Sequence, residues 1–273
     1  MAQRGVFADG KGGLSGVALL EIKEITKRFG GLTALNQVSF DINPGEIMGL
    51  IGPNGSGKST LINVITGTYK PTGGRIVFKG RDVTGLKPHV TARAGIGRSF
   101  QLSALFKEFS VLDTMRLAFH LQSGVGFCGA ALNTSATVVK ERETDQKAMA
   151  FLEFLGIGHA KDELTKNLPH GLERLLGVGM AMATGAEMLL LDEPVTGMNP
   201  TETDEMMQMI RGIRDRGTTI LVVEHNMRVI MGLCDRIAAI NFGRKIAEGT
   251  PEHVRENKEV IEAYLGTEEE TAA

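Results

Sequence analysis

Cysteine and histidine are scarce in this chain. Cys128 and Cys234 are its only cysteines, and its six histidines fall in no H-x-x-x-H or comparable spacing. Neither set has the clustering of a metal site, so a structural metal is not expected. The two thiols read as plain core or surface residues of a reducing compartment. Charge of one sign is lacking too: 30 Lys+Arg against 32 Asp+Glu leave a net charge of −2. That gives no electrostatic footing for nucleic acid. No apolar run approaches the ~20 residues that span a bilayer. The block Val17-Ala18-Leu19-Leu20 is cut by Glu21 and is too short for a signal-peptide core. What remains is 42% hydrophobic and 23% charged over 273 residues, the make-up of a globular protein with a large core in one or two domains.

Glycine is plentiful, and its placement is informative. Gly52 to Thr60 reads Gly-Pro-Asn-Gly-Ser-Gly-Lys-Ser-Thr and fits G-x-x-x-x-G-K-[ST]. A strand-like run, Ile47 to Ile51, precedes it, and a helix-like run from Lys58 to about Thr66 follows. That context is what gives the motif meaning. Glycines let the backbone curl until successive N–H groups face one anion, and the helix N-terminus adds partial positive charge there. Gly52, Asn54, Gly55, Ser56, Gly57, Lys58, Ser59 and Thr60 are therefore candidate binding residues for a nucleoside triphosphate. Lys58 is expected to reach the β- and γ-phosphates, and the Ser59 hydroxyl to bind Mg²⁺.

A second motif lies far downstream. The apolar run Met188-Leu189-Leu190-Leu191 ends in Asp192-Glu193-Pro194, a buried strand delivering two carboxylates to one place. Mg²⁺ takes oxygen ligands, which suits Asp192. Glu193 is then placed to polarise an attacking water. Thr219 to Val223 is a second all-apolar strand, as in a parallel sheet covered on both faces. Residues 1–17 read as a mobile tail. From about Val111 to Leu164, apolar residues recur at helical spacing and indicate an inserted helical subdomain. Arg236 to Glu248 reads as a hairpin turning at Phe242-Gly243.

Taken in order, these motifs resemble the ATP-binding subunit of an ABC transporter over roughly Leu19 to Gly266. The resemblance implies an α/β fold: a P-loop NTPase (RecA-like) core with an antiparallel β subdomain and an inserted α-helical subdomain. It implies an ATPase domain over 18–266 with its helical subdomain at about 102–172, and a C-terminal tail at 267–273. It gives Phe29 the place of the aromatic that stacks on adenine. Gln101 takes that of the glutamine touching Mg²⁺ and the attacking water, and His225 that of the histidine on the γ-phosphate. Thr196-Gly197-Met198-Asn199 matches the loop that crosses a dimer interface.

The signature region departs from the family's Leu-Ser-Gly-Gly-Gln, reading Leu168-Pro169-His170-Gly171-Leu172. Gly171 is kept, and a helix from Glu173 to Ala183 is expected behind it. The serine hydroxyl is gone, and Pro169 has no N–H. Since this segment serves the partner subunit's ATP, a weakened second site is expected. The resemblance implies ATP and Mg²⁺ as cofactors. It implies permease subunits as partners, and a second ATPase subunit, non-identical or a homodimeric copy. It places the chain peripherally on the cytoplasmic face of the membrane.

Three stretches, Arg28 to Leu35, Val223 to Gly232 and Ile261 to Gly266, resemble the branched-chain amino acid importers. Importers of urea or short amides share the architecture, and a lipid exporter stays open. Outside transport, the alternatives are a soluble ABC ATPase, which usually carries two modules or a long coiled coil, and a P-loop kinase or GTPase switch.

Overall fold

A computed structural model of the chain describes residues 18–99, 107–123 and 135–270. It begins with the strands β1 (Leu20–Phe29), β2 (Leu32–Ile42) and β3 (Ile47–Ile51) and the helix α1 (Lys58–Ile65). Strands β4 (Gly73–Phe78) and β5 (Arg81–Asp82), helix α2 (Pro88–Ala94) and strand β6 (Ile96–Arg98) follow. Next come helices α3 (Val111–Ser123), α4 (Ser135–Phe154) and α5 (His170–Ala183). The chain then alternates through β7 (Met188–Asp192), α6 (Pro200–Asp215), β8 (Thr219–Val223) and α7 (Met227–Leu233). It ends with β9 (Arg236–Asn241), β10 (Arg244–Gly249), α8 (Pro251–Arg255) and α9 (Lys258–Glu270).

The described residues fall into two compact units. The larger holds 18–96, 187–194 and 210–270. Within it β2, β1, β4 and β5 form a four-stranded sheet in that order, its pairings antiparallel. The second sheet has the order β10-β9-β3-β8-β7-β6. Here β3 pairs parallel with β8 (Gly49↔Val222) and with β9 (Gly49↔Ile237), and β7 runs parallel to β8. The central strands β3 and β8 are buried at every residue, as their unbroken apolar runs require. Both sheets and α1 share one core: Leu20, Ile22 and Phe40 pack in the same cluster as Met48, Leu50, Leu61, Leu190 and Leu221.

The other unit holds the described residues of 97–186 and 195–209. It is helical, with α3 packed against α4 and α5. Gly179 of α5 faces two side chains of this unit closely: a Cβ there would lie 2.3 Å from Leu155 Cδ1 and 2.9 Å from Met115 Cε, so those side-chain ends would have to shift to admit one. The unit reaches beyond 102–172 because α5 buries its apolar face on α3. α5 also begins earlier than Glu173. Pro169 is its N-cap at φ −53°, ψ 147°, and His170 and Gly171 are already helical. At the other end of the chain, α9 runs on to Glu270 rather than giving way to a tail at 267.

Cys234, after α7, is buried with its sulfur 2.9 Å from where a Cβ on Gly49 would sit. Burial pushes its thiol up to about 12, helped by the negative charges of Asp235 and Glu224. Alkylation needs the thiolate. Iodoacetamide at pH 8 is therefore expected to label the Cys234 peptide at least ~100-fold more slowly in the native chain than after unfolding. Peptide mapping by mass spectrometry checks this. Cys128 lies outside the described residues.

Candidate functional site

The loop from Gly52 to Gly57 joins β3 to α1, the strand–loop–helix arrangement that its sequence called for. Two glycines are needed for stated reasons. Gly52 has φ 153°, and a Cβ on it would stand 2.1 Å from the Ile240 carbonyl oxygen of β9. Gly57, the N-cap of α1 at φ 109°, would bring a Cβ within 2.8 Å of the Ala34 carbonyl oxygen. The loop is thus pressed against β2 and β9, with no room for a side chain at either point. It is also tied down through its backbone: the Gly243 N–H, at the β9–β10 turn, donates to the Ser56 carbonyl at 2.8 Å. Asn54, Gly55 and Ser59 are exposed, Thr60 is half-buried and Ser56 is buried. The Ser56 hydroxyl lacks a hydrogen-bond partner among the described residues.

Lys58 is buried at the start of α1. Its ammonium donates to the Gly52 carbonyl at 2.6 Å and the Pro53 carbonyl at 2.9 Å. It is curled over its own loop. Burial pulls its pKa below the usual lysine range, while the charges of Glu193 and Asp192 oppose that pull. The charges of both carboxylates at the end of β7 are thus felt at the loop's cation.

Glu193 has φ +48°. For a non-glycine residue this left-handed conformation costs roughly 1–2 kcal/mol. The Glu193 N–H donates to the Val223 carbonyl of β8 at 2.8 Å, which fixes the bend. His225, just past β8, brings Nδ1 to 3.6 Å from Glu193 Oε1. Glu224 is fully buried, and its carboxylate accepts the His225 backbone N–H at 3.2 Å. Asn226 then caps α7 by accepting from the Arg228 and Val229 amides. Glu193 and His225, distant in sequence, thereby face one another on adjacent strand ends.

Phe29 closes β1 with its ring partly exposed. Tyr69 stands edge-on to it, with ring centroids 5.2 Å apart at 80°. Lys27 lies over both rings, its Nζ 4.7 Å from the Phe29 centroid. Tyr69 follows α1, carries no motif of its own and was not among the residues expected from the sequence. Gln101 lies outside the described residues.

In the helical unit, Gly171 lies in the first turn of α5, and a Cβ there would come 3.4 Å from Glu202 Oε1. The Thr196-to-Asn199 loop leads into α6. Asn199 and Glu202 cap that helix reciprocally, the Glu202 N–H donating to Asn199 Oδ1 at 3.0 Å and the Asn199 N–H to Glu202 Oε2 at 2.9 Å. Such a capping box fixes the direction in which the loop enters the helix.

The sequence model of the ABC transporter family matches residues 35–196, from β2 through the carboxylate pair to Thr196. This chain belongs to the ABC transporter ATP-binding family. A model described as branched-chain amino acid ATP-binding cassette transporter matches this ABC ATPase at residues 244–270. The ABC ATPase is 42% identical to the high-affinity branched-chain amino acid transport ATP-binding protein LivG of Salmonella typhimurium, over 91% of this chain and 98% of that one. Against BraF of Pseudomonas aeruginosa, a protein of the same description, it is 39% identical with the same coverage. Its fold is similar to the crystal structure of a nucleotide-free ATP-binding cassette from an ABC transporter, with a TM-score of 0.81 and 32% identity. That match covers 91% of this chain and 99% of the other. A cassette in its ADP conformation matches with TM-score 0.81 and 32% identity over 92% and 99%. The ABC ATPase binds ATP and hydrolyses it to power transport. Among its described residues no helix is long and apolar enough to cross a membrane.

Proposed function

We propose that this ATPase drives import of branched-chain amino acids through membrane permease subunits, working as one of a pair of ATPase subunits on the cytoplasmic face. The observation that carries the substrate is the full-length similarity to LivG and BraF, together with the match of 244–270 to the branched-chain transporter model.

Within the site, the donor set suits Mg²⁺: a hydroxyl on Ser59 and a carboxylate on Asp192 are hard oxygen ligands, and both belong to the neighbourhood of Lys58. Bound there with ATP, the ion would offset charge on the phosphates. Lys58 exchanges its two loop carbonyls for phosphate oxygens. Glu193 accepts a proton from the attacking water, and His225 holds the γ-phosphate side of the site. Phe29, held by the edge of Tyr69, offers a flat face to adenine. Gln101 opens the segment that meets the permease. The decisive experiment is copurification with the permease subunits, then ATPase assays in proteoliposomes with a binding protein. Leucine, isoleucine or valine should stimulate turnover. Stimulation by urea or a short amide instead would reassign the substrate.

The two ATP sites of the pair are unequal in this reading. Pro169 occupies the N-cap of α5 without a capping side chain, where the family's signature has serine. This chain therefore offers a weak signature to its partner's ATP and needs a strong one for its own. Mixing it with a non-identical subunit that carries Leu-Ser-Gly-Gly-Gln should raise specific activity at least ~10-fold over this chain alone, as for a restored transition-state donor. Equal specific activity would sink the asymmetry.

A further inference from the structure

We propose that Tyr264 on α9 is a positioning residue of the ATP site, setting the first residue of the phosphate loop through its phenolic oxygen. The inference rests on the loop being the ATP site.

Gly52 is gripped at both of its backbone groups. Its N–H donates to the Tyr264 hydroxyl at 2.9 Å, across 212 positions of sequence. Its carbonyl accepts from Lys58 at 2.6 Å. With Ile240 closing the space where a Cβ would be, Gly52 has no freedom to rotate unless one of these contacts breaks. The loop's later amides are aimed by the peptides before them, so the orientation of Gly52 propagates toward the phosphates. When Lys58 turns to a phosphate it leaves the Gly52 carbonyl. The Tyr264 contact, on the amide side, then holds the residue through that exchange.

The helix that presents Tyr264 is itself well anchored. Asn257 caps it by accepting from the Glu259 and Val260 amides at 2.9 and 3.3 Å, and α9 packs on β10 and α8. Val260 is buried one turn before Tyr264, on the same face of the helix. These two positions divide the work. Val260 supplies packing, for which apolar bulk suffices. Tyr264 adds a hydroxyl aimed at one amide of the loop, which packing alone does not need. Burial pushes the phenol's pKa up and the Gly52 amide pulls it back. The segment 244–270, which carries the branched-chain family's own match, thus touches the phosphate loop through Tyr264.

The test uses the full-length chain, a ribose-labelled fluorescent ATP analogue with Mg²⁺, and thermal unfolding. Tyr264→Phe keeps the ring and removes only the hydroxyl. It should raise the analogue's Kd by about five- to tenfold and leave Tm within about 2 °C. In the reconstituted transporter it should raise the KM for ATP with kcat unchanged, the pattern of lost binding rather than lost chemistry. Val260→Ala should do the reverse, lowering Tm by about 2–5 °C at wild-type Kd. A wild-type Kd in Tyr264→Phe, or an equal rise in Kd for Val260→Ala, overturns the inference while the ATP-site reading stands. Failure of the wild type to bind the analogue overturns both.

Discussion

Replacing Glu193 with glutamine is expected to leave ATP binding intact and to slow steady-state hydrolysis by about 10²- to 10⁴-fold, the usual worth of a positioned general base. The substitution is nearly isosteric, so the φ of +48° and the Glu193 N–H to Val223 bond are kept. What is lost is a carboxylate able to take a proton, 3.6 Å from His225 Nδ1. The strained backbone matters here. A left-handed glutamate is costly and is held by the strand beside it, so the side chain is delivered in one direction. The measurement is ATP turnover of the reconstituted transporter beside equilibrium ATP binding of the same variant. Hydrolysis at the wild-type rate would remove Glu193 from its role. Loss of binding would mean that the residue shapes the site instead.

The second large effect concerns Lys58 and runs in two directions. Lys58→Met should weaken ATP binding by roughly 100-fold, the scale of a lost charged contact with phosphate. In the absence of nucleotide the same variant should unfold at a Tm no lower than that of the wild type. The reason is the sign of the lysine's shift. Burial lowers its pKa from the ordinary 10.5 despite Glu193 and Asp192 nearby, so the folded chain carries the charged amine at a cost. Below its folded pKa the full cost is present. As pH rises from there toward 10.5 the unfolded chain binds the extra proton, and the wild type gains stability. The Tm difference between variant and wild type should therefore shrink as pH is raised toward that value. A Tm well below the wild type at neutral pH would show that the bonds to Gly52 and Pro53 outweigh the burial. Function and stability pull against each other at this residue.

How much of this was legible beforehand depends on how local each feature is. The phosphate loop could be read because its residues, its strand and its helix are contiguous, and their spacing is dictated by the curl of one backbone segment. The carboxylate pair could be read because a buried apolar strand ending in two acids is unusual in itself. The placement of Glu193 beside His225 has its physical cause in the parallel pairing of β7 with β8, which needed the fold. Tyr264 lies in a stretch marked by resemblance, but its contact and that of Tyr69 were out of reach for the same reason: each meets its partner only through tertiary packing, and neither spacing nor periodicity encodes that. The expected helix begins at Glu173, whereas α5 begins at His170, directly after its N-cap Pro169. A proline is well suited to the N-terminal boundary, where no N–H is needed. Lys58 was expected to point at phosphate. Its turn toward its own carbonyls reflects three ammonium donors taking the nearest acceptors within a buried loop.

The strand order also sets a timetable for synthesis. β3 leads directly into the phosphate loop, yet its neighbours are β8 and β9, which lie in the last third of the chain. At roughly 5–20 residues per second, the newly made strand waits on the order of 10–30 s for its first edge to be covered. During that interval Ile47 to Ile51 is a short apolar template with both edges open, the kind of segment that pairs with the wrong chain. The antiparallel sheet of β1, β2 and β4 closes within the first 78 residues and, with α1, is an early partner for its face, since Leu20, Ile22 and Leu61 share a core with Met48 and Leu50. Slowing translation between β4 and β8 should lower the soluble yield more than slowing it after β9.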